Sequence, residues 1–291
     1  MNPLKYRTQE LVIVCSFLFL PVLLLVTFSY YPALMLVYYS MTNWNGLSAN
    51  YNFVGIGNYV EVFTNPELFS VLRNNMYYFI GGLLQTAFAL YFAVLLNSKL
   101  RGRNLFRIIL FLPYILHSVA IAIMFQSVYH TTQGSLNLFL ETIGLTGWQQ
   151  SWLGNETIVD YALAFVSMWK FLGLSMVIFL GALQSISDDL YEAATIDGAN
   201  AMQSFKHITL PSIRSVLELL LILTLSGALQ AFEIPYVMTL GANDTQTFVM
   251  ETIEVAFKFN QSGLASAMAV VLLLFVLAFI MIQRKFITKG E

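Results

Sequence analysis

Six long apolar runs dominate the 291-residue sequence, near 11–39, 75–96, 105–128, 158–183, 212–238 and 263–282. A helix of about 20 apolar residues spans the hydrocarbon core of a bilayer. The runs therefore predict an all-α integral membrane protein with six transmembrane helices. Charged residues make up 10% of the chain, against about 25% in a soluble domain, too few to cover a water-facing surface. The net charge of −2 offers no basic face for nucleic acid. The single Cys15 excludes intramolecular disulfides and a cysteine-built metal site. His117, His130 and His207 fall in separate segments with no second ligand at metal spacing, so no metal is expected. Without repeats or low-complexity tracts, residues 1–291 are expected to form a single transmembrane domain.

The first run follows Lys5 and Arg7, as in a signal peptide, but it is nearly twice the usual apolar length and lacks a small-residue cleavage site after it. A retained anchor is expected, kinked and tilted by Pro21 and Pro32. Basic residues stay on the cytoplasmic side of a membrane. Of the 14 Lys and Arg, eleven fall at alternate run ends: Lys5 and Arg7; Lys99, Arg101, Arg103 and Arg107; Lys206 and Arg214; Arg284, Lys285 and Lys289. The opposite ends carry Arg73 and Lys258, and Lys170 lies inside a run. Both termini are thus expected in the cytoplasm of a cell (inner or plasma) membrane. The segments near 41–74, 129–157 and 239–262 are expected outside. In the second of these, Leu136, Phe139, Leu140 and Ile143 predict a short amphipathic helix at the interface or over the pore.

The one long cytoplasmic loop, 184–211, carries two helical signatures. Ser187 followed by Asp188 and Asp189 opens the first, with the acids at the positive helix end. Leu190, Ala193, Ala194 and Ile196 continue it until Gly198. Asn200 with Gln203 opens a second, close to a capping box, which runs through Met202, Phe205 and Ile208 to Pro211 at the start of the fifth span. Two short helices joined by a glycine make a docking knob for another protein.

Within that loop, Glu192-Ala193-Ala194, three residues, Gly198, nine residues, Ile208, one residue, then Leu210-Pro211 resembles the EAA loop of permease subunits of binding-protein-dependent ABC importers. Further stretches resemble the carbohydrate-uptake branch: Thr42-Asn43-Trp44, Phe53-Val54-Gly55 with Asn58-Tyr59, Gly102-Arg103-Asn104 with Phe106-Arg107, Phe111-Leu112-Pro113, and Gly263 to Ala267. The chain departs from that pattern at Leu240-Gly241-Ala242-Asn243, where a Gly-Gly-Pro is usual. The resemblance implies a type I importer permease that pairs with a second permease and moves a sugar or oligosaccharide by alternating access. The solute would arrive on an external binding protein, and two cytoplasmic ATPase subunits would seat the loop and hold ATP and Mg. The coupling residues so implied are Glu192, Ala193, Ala194, Gly198, Ile208, Leu210 and Pro211. The chain itself contains no G-x-x-x-x-G-K-[ST] and is expected to bind no cofactor.

Charges inside spans are costly and therefore candidates for function. Glu218 lies about two turns past Pro211, in a structural bond or a snorkelled position. Lys170, beside Trp169, pairs with an acid or lines the pore. Glu233 sits in Gln230-Ala231-Phe232-Glu233-Ile234-Pro235-Tyr236, where Pro235 loosens the helix. Carboxylate and amide groups bond sugar hydroxyls and flat rings stack on the apolar sugar face, so Gln230, Glu233 and Tyr236 on one helix face, with Trp169 and Lys170, are the candidate substrate path. The alternative role for Glu233 is bundle packing. A self-sufficient secondary carrier or channel for a small polar solute is the alternative function. H-E-x-x-H and G-x-S-x-G are absent, which disfavours a membrane enzyme.

Overall fold

The computed structural model describes residues 3–98 and 100–287; of the orienting charges, Lys99 and Lys289 lie outside them. Helices α1 (Pro3–Leu25) and α2 (Tyr31–Tyr39) are joined by a π-turn, Val26–Tyr30, and together make the first span. The expected distortion sits next to Pro32, whose missing N–H leaves the carbonyl four residues back without its helical donor. Pro21 is accommodated inside α1. The chain then continues through α3 (Gly57–Thr64), α4 (Pro66–Ser70), α5 (Leu72–Asn97), α6 (Arg103–Ile115), α7 (Ser118–Val128), α8 (Ser135–Thr142) and α9 (Val159–Gln184). After these come α10 (Asp188–Ile196), α11 (Ala201–Ser204), α12 (Leu210–Ser212), α13 (Arg214–Leu229), α14 (Glu233–Thr239), α15 (Phe248–Ile253) and α16 (Ser262–Ile287).

The third apolar run is not one helix. α6 and α7 meet at a bend of 101°. Pro113 ends the regular hydrogen bonding of α6, Leu116 and His117 are extended, and the His117 ring accepts Val119 N–H at 3.3 Å to start α7. Five described helices are long and apolar enough to cross a membrane, six if this bent pair counts as one span.

Contacts gather the chain into two compact units, Met1–Asn65 with Thr252–Leu273, and Pro66–Glu251 with Leu274–Glu291. In the first, Asn58 Nδ2 donates to the carbonyls of Ser40 and Thr42, both at 2.8 Å, tying α3 to the end of α2. Gly263 N–H donates to Trp44 O at 2.8 Å, and a Cβ at position 263 would lie 2.0 Å from Thr42 O, so only glycine permits this approach.

The second unit is built on α5 and α9, its most extensive helix pair. Small residues let the backbones close, with Gly81 against Ala164. α6 packs still more tightly on α9, since a Cβ on Gly173 would lie 2.1 Å from Leu110 O. Two apolar clusters form along this bundle. One holds Tyr78, Ile121, Phe125, Leu163, Val166, Ile234 and Met238; the other holds Ala89, Ala93, Met176, Phe179, Leu183, Ile213 and Leu220. Tyr129, just past α7, belongs to the first; burial pushes its phenol up to about 12, and it donates to Ala162 O at 3.4 Å. The expected amphipathic helix of the 129–157 segment is α8, anchored by the buried Asn137. Its amide donates to Thr131 O and Gln150 O at 2.8 and 2.9 Å and accepts Trp152 Nε1–H at 2.8 Å.

Candidate functional site: a helical knob and a cavity at a broken span

The 184–211 loop folds into the two predicted helices. Ser187 Oγ accepts Asp189 N–H at 3.3 Å at the start of α10. The helix closes through Gly198, at φ +80°, with Gly198 N–H to Thr195 O at 3.1 Å and Ala199 N–H to Ala194 O at 2.9 Å. That pair of bonds is a Schellman motif, which needs the left-handed residue that glycine supplies at no steric cost. α11 opens on a reciprocal capping box, with Gln203 N–H to Asn200 Oδ1 at 2.9 Å and Asn200 N–H to Gln203 Oε1 at 2.8 Å. Tyr191 and Thr209 hydroxyls meet at 2.9 Å and tie the two pieces together. Glu192, Ala193, Gly198 and Pro211 are exposed, and Ala194, Ile208 and Leu210 half-buried. Leu190, Met202 and Ile196 present their apolar side chains outward, Ile196 being 86% exposed. The fifth span begins properly at Arg214, after Ile213 leaves helical geometry, and Arg214 Nε pairs with Glu218 Oε1 at 3.1 Å. Glu218 is thus engaged in a structural bond.

The fifth run, 212–238, is broken into α13 and α14 at Gln230–Phe232. Phe232 takes φ −143° and ψ −60°, outside the helix region. Pro235 has no N–H for Ala231 O; Thr247 Oγ1 donates to that carbonyl instead, at 2.6 Å. Asn75 Nδ2 donates to Ala228 O and Leu229 O at 2.7 and 3.2 Å. At the far end of α14, Gln126 Nε2 donates to Val237 O and Met238 O at 2.9 and 3.1 Å. Backbone groups freed in a membrane must be satisfied from within the protein, and here three other segments do so.

A cavity of about 520 Å³ opens at this break. Its polar lining comes from Gln85, Ser118, Ser167, Ser175, Thr224, Gln230 and Glu233, and its rings from Tyr78, Phe171 and Phe232. Several of these groups are fixed by their neighbours. Gln85 Nε2 donates to Ser175 Oγ at 2.7 Å, Thr224 and Thr86 hydroxyls meet at 3.1 Å, and the buried Lys170 donates to Ser118 Oγ. Glu233 is the charged group whose field reaches Lys170. Hydroxyls, amides and one carboxylate between aromatic faces can bind a polyhydroxylated solute from several sides.

The break brings Gln230 and Glu233 to the cavity but not by the single-helix geometry expected of them, because they belong to different segments. Tyr236 is not among the lining residues; it is stacked on Phe232 with centroids 5.0 Å apart. Trp169 packs edge to face on Phe125 at 5.3 Å, beside the apolar cluster, and Lys170, itself outside the lining, meets it through Ser118 and over the Phe171 ring at 5.2 Å. Gln85, Ser118, Ser167, Ser175 and Thr224 were not anticipated. Gln85 is visible in the sequence as an amide in the middle of an apolar run; the small hydroxyl residues carry no such signal.

Residues 85–289 match the family model described as binding-protein-dependent transport system inner membrane component. A probable ABC transporter permease of Bacillus subtilis strain 168, YurN, is 34% identical over 284 residues, 96% of this chain and 97% of that protein. The multiple sugar-binding transport system permease protein MsmF of Streptococcus mutans is 30% identical over 279 residues, 95% of each chain. Among solved structures, a chain of a bacterial alginate ABC transporter, in complex with an alginate pentasaccharide-bound periplasmic protein, superposes with a TM-score of 0.83 at 19% identity, covering 97% of this chain and 96% of that one. That likeness speaks for the fold, and the family match and sequence relatives for membership. The chain is a multi-pass membrane protein and belongs to the family of binding-protein-dependent transport system inner membrane components.

Proposed function

We propose that this chain is one half of the pore of an ATP-driven importer that takes a sugar or oligosaccharide from an external binding protein into the cytoplasm. The observation that carries this reading is the exposed knob of α10 and α11, with the whole Glu192 to Pro211 pattern on it, joined directly to the span that breaks at the polar cavity. Membership in a binding-protein-dependent family leaves no observation in favour of a self-sufficient carrier. The sugar assignment draws on the cavity's hydroxyls, amides and rings, and on relatives such as MsmF that are named for sugar transport.

The remaining components follow from what the chain lacks and displays. It has no phosphate-binding loop, so ATP and Mg belong on two cytoplasmic ATPase subunits. Glu192 offers those subunits a charge-assisted bond, and Ile196 and Met202 an apolar seat. A second, similar permease completes the pore, and both termini are cytoplasmic. ATP-driven closure of the ATPases moves the knobs, and the spans attached to them alternate between outward and inward opening.

Glu192→Ala removes the charge and Gly198→Val forces a branched residue into the left-handed region. Each is expected to lower uptake by the reconstituted importer at least about tenfold, the equivalent of about 1.4 kcal/mol, while the protein still inserts. Uptake at the unsubstituted level with either change would remove the docking role from this loop.

A further inference from the structure

The break in the fifth span is not written in α13 and α14 alone. Pro235 removes one helical donor, that for Ala231 O. A continuous helix would still bond Ala228 O to the N–H of residue 232 and Leu229 O to that of residue 233. Neither bond is required while Asn75 donates to both carbonyls. Asn75 is fully buried, and its Oδ1 accepts the N–H of Phe248, the first residue of α15, at 3.1 Å. Both ends of the one amide are therefore used, on α13 and on α15. The neighbouring residues grip the same outer segment. Asn74 Nδ2 donates to Asp244 O and Gln246 O at 2.5 and 2.9 Å, and Arg73 pairs with Asp244. Thr247, also fully buried, bonds Ala231 O. Were the span to straighten, Asn75 would be left with unsatisfied donors away from water, which costs more than the bonds themselves contribute.

We infer that Asn75, seconded by Thr247, is a positioning residue for the substrate cavity: it holds the fifth span broken, and so holds Gln230 and Glu233 at the cavity wall, and it ties that break to the outer segment 244–248. Ala228 and residues 230–235 form one side of the cavity, so the state of this latch sets whether the cavity exists. The same bonds make the break and the outer segment move together. The inference rests on the proposed function only in taking the cavity as the solute path.

The test uses the assembled importer in a Cys15→Ser background, which leaves no other thiol in this chain. Cysteine is placed at Gln230, which is exposed at the break, and separately at the exposed Leu145, just after α8 and away from the latch, as a control. Asn75→Leu keeps the branched shape, in a somewhat larger side chain, and removes both the donors and the acceptor. The expected result is a fall of about tenfold or more in the rate at which a water-soluble maleimide labels Gln230→Cys, unchanged labelling of Leu145→Cys, and a loss of maximal uptake. A fold defect would instead disturb both positions; in that case Thr247→Val, which removes the bond to Ala231 O and a long one from Met250 N–H at 3.5 Å, is expected to give a smaller fall at position 230 alone. Unchanged labelling at position 230 in both variants overturns the inference, whatever uptake does. A fall in labelling with normal uptake upholds the latch and overturns the assignment of the cavity as the solute path.

Discussion

Glu233 occupies the first turn of α14, where a carboxylate is favoured by the helix dipole, and it is the one carboxylate on the cavity wall. A hydrogen bond from a sugar hydroxyl to a charged acceptor contributes about 1.5–3 kcal/mol. Glu233→Ala is therefore expected to raise half-saturating sugar at least about tenfold in reconstituted uptake, with the ATPases still co-purifying because the knob is untouched. Glu233→Gln, which keeps an acceptor, is expected to fall between the two. Unchanged uptake across several sugars would leave Glu233 a packing residue; loss of the ATPases would make it a residue that holds the fold. The neighbours of Glu233 show how far single residues can be read from sequence. An amide or carboxylate within an apolar run stands out, and Asn75, Gln85 and Gln126 stand out as clearly as Glu233 does. Which backbone carbonyl each amide serves depends on contacts more than 80 residues away in the chain, such as Asn75 with Ala228, and no local pattern encodes those.

At the scale of elements, the legible features were the ones written in local chemistry. Ser187, Gly198, Asn200 and Gln203 specify the ends of α10 and α11 through caps that span a few residues, and the knob folds as they dictate. Apolar length alone, by contrast, cannot separate a straight helix from two joined at a bend. The 105–128 run is uniformly apolar, yet extended Leu116 and His117 divide it. The 212–238 run divides two residues before Glu233, ahead of Pro235. Close packing of α6 on α9 belongs to this scale as well. The Cβ of any other residue at 173 would fall inside the Leu110 carbonyl and within 2.6 Å of Phe111 Cα, both backbone atoms that a rotamer change cannot move. Overpacking of this kind costs about 1–3 kcal/mol and sometimes more. Gly173→Val is expected to lower the melting temperature of the purified complex by several degrees, while Gly181→Ala on the same helix, with open space around its Cβ, changes it little. Equal melting temperatures would mean that α6 and α9 separate freely.

For the whole molecule, the bent α6–α7 pair decides the topology. Five spans put the chain termini on opposite sides of a membrane, and six put them on the same side. The pair itself is ambiguous by geometry, since a bend of 101° suits either a crossing or a re-entrant hairpin. Charge resolves it. Lys5 and Arg7 flank the first span, and Arg284 and Lys285 lie at the end of the last; basic residues near short loops stay in the cytoplasm, so both ends are expected there and the pair is expected to cross. By the same rule Arg101, Arg103 and Arg107, before and at the start of α6, are expected inside, and α8, with no Lys or Arg between residues 129 and 157, is expected outside. A reporter active only in the cytoplasm is expected to work when fused after Gly102 and to fail within 141–150, and one active only outside to do the reverse. Reporters on the same side at both sites would make α6 and α7 re-entrant, leave the chain with five spans, and put its N-terminus across the membrane from both its C-terminus and the knob that α10 and α11 build.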